Sequence, residues 1–174
     1  SLSVHLAEEE YAEFDLSQDF TWGVLAINTN KATYLPDDTA QIMMTVLDDL
    51  GGTVCDASVQ LDITSPDNKN YTYSTDNETI EKSDECGPNS VTDKPDFSVS
   101  FPHTSEVGNY SMQITATTEN GTKSIQDFFS VAETVEFDVE RIGPTRIYPR
   151  ENYTMTMRVS PSEDYKGEIK ESVP

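Results

Sequence analysis

Two cysteines, Cys55 and Cys86, are the residues of this 174-residue chain most able to do covalent chemistry. They sit in polar, turn-like contexts, Gly-Thr-Val-Cys-Asp and Asp-Glu-Cys-Gly-Pro, and neither belongs to a Cys-x-x-Cys or other zinc spacing. With the other signs of export described below, they read as a disulfide in preference to two unrelated free thiols. The bond would close a loop of about 30 residues, which the chain-entropy model values at roughly 3–4 kcal/mol.

Asparagine is the second chemically addressable group. The acceptor pattern Asn-x-Ser/Thr occurs at Asn70, Asn77, Asn109, Asn120 and Asn152. With nine Asn, and Ser plus Thr near a fifth of the chain, chance predicts about two. The excess points to surface glycosylation of an exported protein. The competing reading is that Asn and Thr are simply abundant in exposed strands and turns.

Other chemistries find little support. His5 and His103 stand far apart with no ligand pattern beside them, and read as ordinary surface or packing histidines. There is no Gly-x-Ser-x-Gly elbow, phosphate loop, dinucleotide fingerprint or His-Glu-x-x-His. Carboxylates are so numerous that a glycosidase-like pair means nothing without geometry. The turn acids Asp37, Asp38, Asp48, Asp49 and Asp67 are the one calcium case, but none follows the EF-hand pattern. They read as turn caps in preference to calcium ligands. Trp22, the single tryptophan, reads as packing in preference to a sugar platform. The expectation is therefore no catalytic site, no metal and no cofactor.

Charge excludes one class of partner. The formal net charge is −21, from 32 acids against 11 bases, and nucleic-acid binding needs the opposite sign. The charge is also uneven. Residues 1–140 hold 5 Lys, no Arg and 27 acids; residues 141–174 hold 6 bases, including Arg141, Arg146, Arg150 and Arg158, and 5 acids. Such a break marks a domain boundary, placed near Thr134 to Val135. No apolar run reaches the roughly 18–20 residues of a membrane span. The opening Ser-Leu-Ser-Val-His-Leu lacks the form of a signal peptide, so an exported chain would already have lost its signal.

The elements that must hold these residues are strands. Apolar residues alternate with polar ones through Ala40–Val46, Val59–Ile63 and Tyr110–Ala116, the period of half-buried antiparallel strands. Ile125, Phe129 and Val131 share one face of the next run. Leu-Pro-Asp-Asp at 35–38, Asp-Asp-Leu-Gly-Gly at 48–52, Ser-Pro-Asp-Asn at 65–68 and Glu-Asn-Gly-Thr at 119–122 supply turn chemistry between runs. The spacing predicts strands near 23–28, 40–48, 57–64, 71–75, 96–101, 108–118 and 122–132. Residues 76–95 read as a polar loop stapled through Cys86. The fold class is all-β: an antiparallel immunoglobulin-like sandwich over 23–132, followed by part of a second β domain over 133–174. The latter offers three strand-like runs, too few to close a sandwich. Tyr110, just after Gly108 at a strand start, suits a tyrosine-corner position, with an ordinary core tyrosine as the competing reading. Residues 1–22 read as an N-terminal strand, with Leu2, Val4 and Leu6 alternating, and then an acidic connector. Leu2, Val4 and Leu6 are candidates for donation into an incomplete sheet, chiefly that of a neighbouring copy; the competing reading is a disordered or self-docked terminus beside a truncated second domain.

Thr33-Tyr-Leu-Pro-Asp-Asp, Val46-Leu-Asp-Asp-Leu-Gly-Gly-Thr-Val-Cys-Asp-Ala, Leu61-Asp-Ile-Thr-Ser-Pro-Asp and Gly108-Asn-Tyr together resemble the macroglobulin-type module. The resemblance covers about residues 30–132 and implies a seven-stranded, fibronectin-like sandwich of a large secreted protein. These are turn signatures, not active-site signatures. Asp37 stands where that family often has Gly, and there is no thioester motif, so covalent trapping gains no support.

The functional expectation is an extracellular or cell-surface structural or adhesive module, not an enzyme. It would act by assembly with copies of itself or with other surface proteins. The alternative is a ligand-binding module for a carbohydrate or a protein within a larger secreted protein.

Overall fold

The computed structural model describes residues 2–7, 13–18, 25–48, 50–87, 94–142, 154, 156–162, 164, 166 and 168–172. For 2–7, 13–18, 141–142 and 168–172 the description is of the backbone. Trp22, Asp49 and Asn152 lie outside the described residues. Among the described residues there are strands and no helix.

Two sheets built from residues 25–131 face each other as a β-sandwich. The first contains β3 (Leu25–Thr29), β5 (Ala40–Val46), β8 (Glu81–Lys82) and β9 (Phe97–Phe101), in the order β3-β5-β9-β8. The second contains β4 (Thr33–Tyr34), β6 (Ser58–Thr64), β7 (Asn70–Ser74), β10 (Gly108–Thr118) and β11 (Gly121–Val131), in the order β4-β11-β10-β6-β7. All pairings in both sheets are antiparallel except β4 with β11. β4 and β8, two residues each, are the strands that alternation over a short run cannot reveal. β8 lies inside the stretch read above as a loop.

The period-2 pattern decides what is buried. Ile42, Met44, Val59, Leu61, Ile63, Val99, Met112 and Ile114 are all at most 3 % exposed and fill the space between the sheets. The aromatic end of this core is ordered by ring geometry. Phe129 stacks on Tyr110 at 4.9 Å and meets Tyr34 edge-on at 5.2 Å. Such pairs add about 0.5–1.5 kcal/mol each beyond the area they bury.

The Gly108-Asn-Tyr sequence has a physical reason at each place. Gly108 has φ +141°, and a Cβ there would lie 2.8 Å from Pro66 Cγ. Tyr110 is fully buried, and its hydroxyl accepts a hydrogen bond from the Glu106 amide at 3.2 Å. That bond to backbone four residues upstream is the geometry of a tyrosine corner. Between them, Asn109 points to solvent.

Two further sheets complete the chain. β12 (Phe137–Ile142) pairs antiparallel with β13 (Thr156–Pro161). β1 (Leu2–Ala7) is the central strand of a three-stranded sheet, between β2 (Glu13–Gln18) and β14 (Glu168–Ser172). Its register aligns Leu6 with Phe14 and Ile169, and Val4 with Leu16. β1 thus pairs with segments of its own chain. The acidic stretch read as a connector carries β2, because Phe14 and Leu16 alternate with Glu13, Asp15 and Ser17 as a strand requires.

Candidate functional site

One end of the sandwich is closed covalently. Cys55, in the turn before β6, is bonded to Cys86, after β8, with Cα atoms 5.8 Å apart. The bond ties β8 and its flanking turns to the β5–β6 connection. Beneath it lies an open groove of about 800 Å³ lined by Asp56, Asp76, Glu78, Glu81, Lys82 and Lys94, among others. Lys94 is already engaged, with Glu85 at 2.8 Å and Asp84 at 3.1 Å. Those two contacts raise its pKa, and Lys94 in turn lowers that of Asp84. Five of the lining residues are carboxylates, Asp56, Asp76, Glu78, Glu81 and Asp84, and no group of three or more metal-ligating side chains converges among the described residues.

Three of the turn aspartates, Asp38, Asp48 and Asp67, spend oxygens on nearby donors. Asp48 Oδ1 accepts from the amides of Leu50 at 2.9 Å and Gly52 at 2.7 Å. Asp38 Oδ2 accepts from the Leu35 amide at 3.1 Å. Asp67 accepts from the Ser65 hydroxyl at 2.5 Å and pairs with Lys69 at 2.7 Å, and Lys69 and Ser65 together hold its carboxyl below the usual range. Among the described residues the Asp37 side chain caps nothing; its backbone occupies the left-handed region, with φ +67°. The glycine that the resemblance leads one to expect here suits this conformation.

His103 stacks on Tyr71 at 4.7 Å, so it serves as an aromatic lid on the edge of the core. His5 lies in β1, on a separate sheet.

Four of the five acceptor asparagines fall on described residues, and all four are exposed: Asn70, Asn77, Asn109 and Asn120. Their settings differ. Asn77 lies in the turn after β7, where the Thr79 hydroxyl and amide both donate to its Oδ1, at 2.5 and 3.2 Å. Asn120 sits at the β10–β11 turn. Asn70 and Asn109 are strand residues, whose Oδ1 atoms accept from Thr64 at 2.7 Å and Ser130 at 2.8 Å.

Asn70 and Asn109 share the outward face of the second sheet. Along β6, β7, β10 and β11 the outward positions are Ser, Thr, Asn and Gln, with two exceptions, Asp62 and Phe128. Cross-strand side-chain hydrogen bonds knit this face, such as Thr115 with Ser124 at 2.8 Å and Thr72 to Asp62 at 2.6 Å. A nearly uncharged face stands out on a chain of net charge −21. Phe128, 66 % exposed, is the feature that reading by alternation passes over. Its signal was its parity, since it alternates with the buried Phe129.

A last cluster joins the sandwich to β12. Lys31 lies 2.8 Å from Asp138 and 3.6 Å from Asp38. Burial alone would lower its pKa, but Asp138 and Asp38 outweigh burial and raise it. Asn30 Nδ2 donates to Glu140 at 3.4 Å, while Asn30 Oδ1 accepts from the Tyr34 hydroxyl at 2.6 Å.

No protein-family model matches the chain, and no curated protein matches it in sequence. No helix among the described residues is long and apolar enough to cross a membrane.

Proposed function

We propose that this chain is an extracellular structural or adhesive module that acts by assembly, with copies of itself or with other surface proteins. One observation carries the reading: β1 is the central strand of a sheet whose two neighbours are β2 and β14. A strand held by backbone bonds and aligned apolar positions can pair in the same register with another copy. Leu2, Val4 and Leu6 would then be donated across subunits. Among the described residues no further strand pairs with the outer edges of β2 and β14, and such edges are templates for pairing.

Three features agree with this. The strand orders β3-β5-β9-β8 and β11-β10-β6 match the arrangement of immunoglobulin-type sandwiches, which recur in cell-surface proteins. The Cys55–Cys86 bond suits an oxidising compartment. The core is spent on packing one sheet against the other, with Asp38, Asp48 and Asp67 committed to turn bonds. The division near Thr134 to Val135 falls between β11 and β12, where two β units would meet. The macroglobulin-type kinship is part of this proposal and rests on the turn signatures alone.

The acidity makes assembly salt-dependent. A charge of −22 over residues 1–140 repels a second copy, over a Debye length of about 10 Å at 0.1 M salt. Light scattering and electron microscopy at rising salt or divalent cation should show larger assemblies. Deleting residues 1–6 should abolish them while the 25–131 sandwich stays folded. A truncated chain that assembles as well as the full one would overturn the reading, and so would an assembly that dissociates as salt rises. Saturable binding to a glycan array would favour the ligand-binding alternative.

A further inference from the structure

We propose that Asn109 carries an N-linked glycan whose first pyranose lies over Phe128. The inference shares with the proposed function only the premise of export; it does not depend on assembly.

Phe128 needs an explanation. An exposed aromatic ring whose neighbours on the sheet face are Ser, Asn and Gln gains nothing by facing water. Its cross-strand partner is Ser111, and the next outward pair is Asn109 with Ser130. Asn109 is therefore a diagonal neighbour of Phe128, at a residue spacing of about 7–8 Å and somewhat less between Cβ atoms. Asn109 and Ser111 are the first and third residues of one acceptor sequence, so the modifiable amide lies one sugar's length from the lone ring. The other acceptors are worse placed. Asn70 lies at the far end of the same cross-strand row, Asn70, Thr64, Ser111, Phe128, three strands away. Asn77 and Asn120 are in turns.

The chemistry of the site fits this occupant. The Ser130 hydroxyl donates to Asn109 Oδ1 at 2.8 Å, and the residue is exposed, so the bond does not occupy Nδ2, the atom that takes the sugar. A pyranose presents a face of C–H groups that packs on an aromatic ring, and hydroxyls at its rim. Ser111, Gln113 and Gln126 surround Phe128 with uncharged donors and acceptors for those hydroxyls. A charged surface, like that on most of this chain, would instead keep its own hydration. The attachment forms a bond from Nδ2 to the anomeric carbon of an oligosaccharide activated on a lipid phosphate. The anomeric C–O bond breaks, the lipid phosphate leaves with the electron pair, and the amide loses one proton.

The test uses the chain secreted from a host with N-glycosylation machinery. Peptide mass mapping reads occupancy at Asn109. Thermal unfolding is then compared for the wild type, Asn109→Gln, Phe128→Ala and the double variant. The expected result is an occupied Asn109, and a melting temperature that falls by several degrees on N109Q when Phe128 is present but not when it is Ala. The same four proteins made without glycan correct for the lost Ser130 hydrogen bond. Phe128 points outward, so its replacement leaves the core intact. An unoccupied Asn109 overturns the proposal, as does a glycan effect that is the same with and without Phe128.

Discussion

The Lys31 ammonium lies 2.8 Å from the Asp138 carboxylate, across 107 residues of sequence, and this contact links the turn after β3 to strand β12. It is a direct charge pairing, among the described residues, between the sandwich and the β12–β13 pair. With side-chain exposures of 20 % and 38 %, the pair is worth about 0.2–1 kcal/mol after solvent screening. Asp138→Asn should thus leave the global unfolding midpoint almost unchanged. It should speed proteolytic cleavage between Ala132 and Glu136, because the hairpin would be held less firmly. An unchanged cleavage rate at that segment would contradict the linking role.

Gly108→Ala should be costly although it adds one methyl group. The new Cβ would lie 2.8 Å from Pro66 Cγ at a φ of +141°. Overpacking and backbone strain together predict a loss of about 1–3 kcal/mol. Chemical denaturation should show a lower midpoint with an unchanged slope.

Asp37 should separate conformational preference from side-chain contacts. Its φ is +67° and its side chain is exposed. Asp37→Gly should stay within about 0.5 kcal/mol of the wild type, as ordinary surface changes do. Asp37→Val should cost roughly 1–2 kcal/mol, since a branched side chain resists the left-handed region. Equal stabilities of the two variants would refute the argument.

Reduction of Cys55–Cys86 should act locally before it acts globally. The bond closes a separation of 31 residues, and its loss is valued at about 3–4 kcal/mol in the chain-entropy model. Hydrogen exchange should accelerate first at Glu81–Cys86, where β8 has two residues of pairing to hold it. Uniform acceleration over β5, β6 and β10 instead would show that the bond supports the whole sandwich.

Stability should fall at alkaline pH through Tyr34. Burial pushes its phenol well above the ordinary value of 10.0. A folded-state pKa raised above the unfolded one means stability that is complete below pH 10 and is lost as pH rises beyond it. Lys31, also raised, acts in the same direction once it loses its proton. Between pH 9 and 11 the urea midpoint of the wild type should drop more than that of Tyr34→Phe. At pH 7 the variant should be weaker by about 1 kcal/mol, for the hydrogen bond lost to Asn30.

Much of the sandwich was legible in the chain. Strands β3, β5, β6, β7, β9, β10 and β11 follow from alternation, because burying one face of a pleated sheet demands apolar residues at every second position. Turn chemistry marks their ends for a related reason: Asp48 and Asp67 serve neighbours within four residues, so their partners are written beside them. β4 and β8 escaped, since two residues carry no period. β2 was hidden by its acids, which alternate with Phe14 and Leu16 along the sequence.

What alternation cannot say is which faces meet. That Asn109 and Phe128 are diagonal neighbours depends on the register of β10 against β11, and a slip of one residue would move either to the opposite face. That Lys31 finds Asp138, and that β1 pairs with β14 of its own chain, depends on contacts more than a hundred residues apart. Local sequence encodes conformational preference and burial, because both act within a few residues. Which distant groups share a surface is decided by packing, and here packing decides where the modifiable asparagine, the exposed ring and the pairing strand lie.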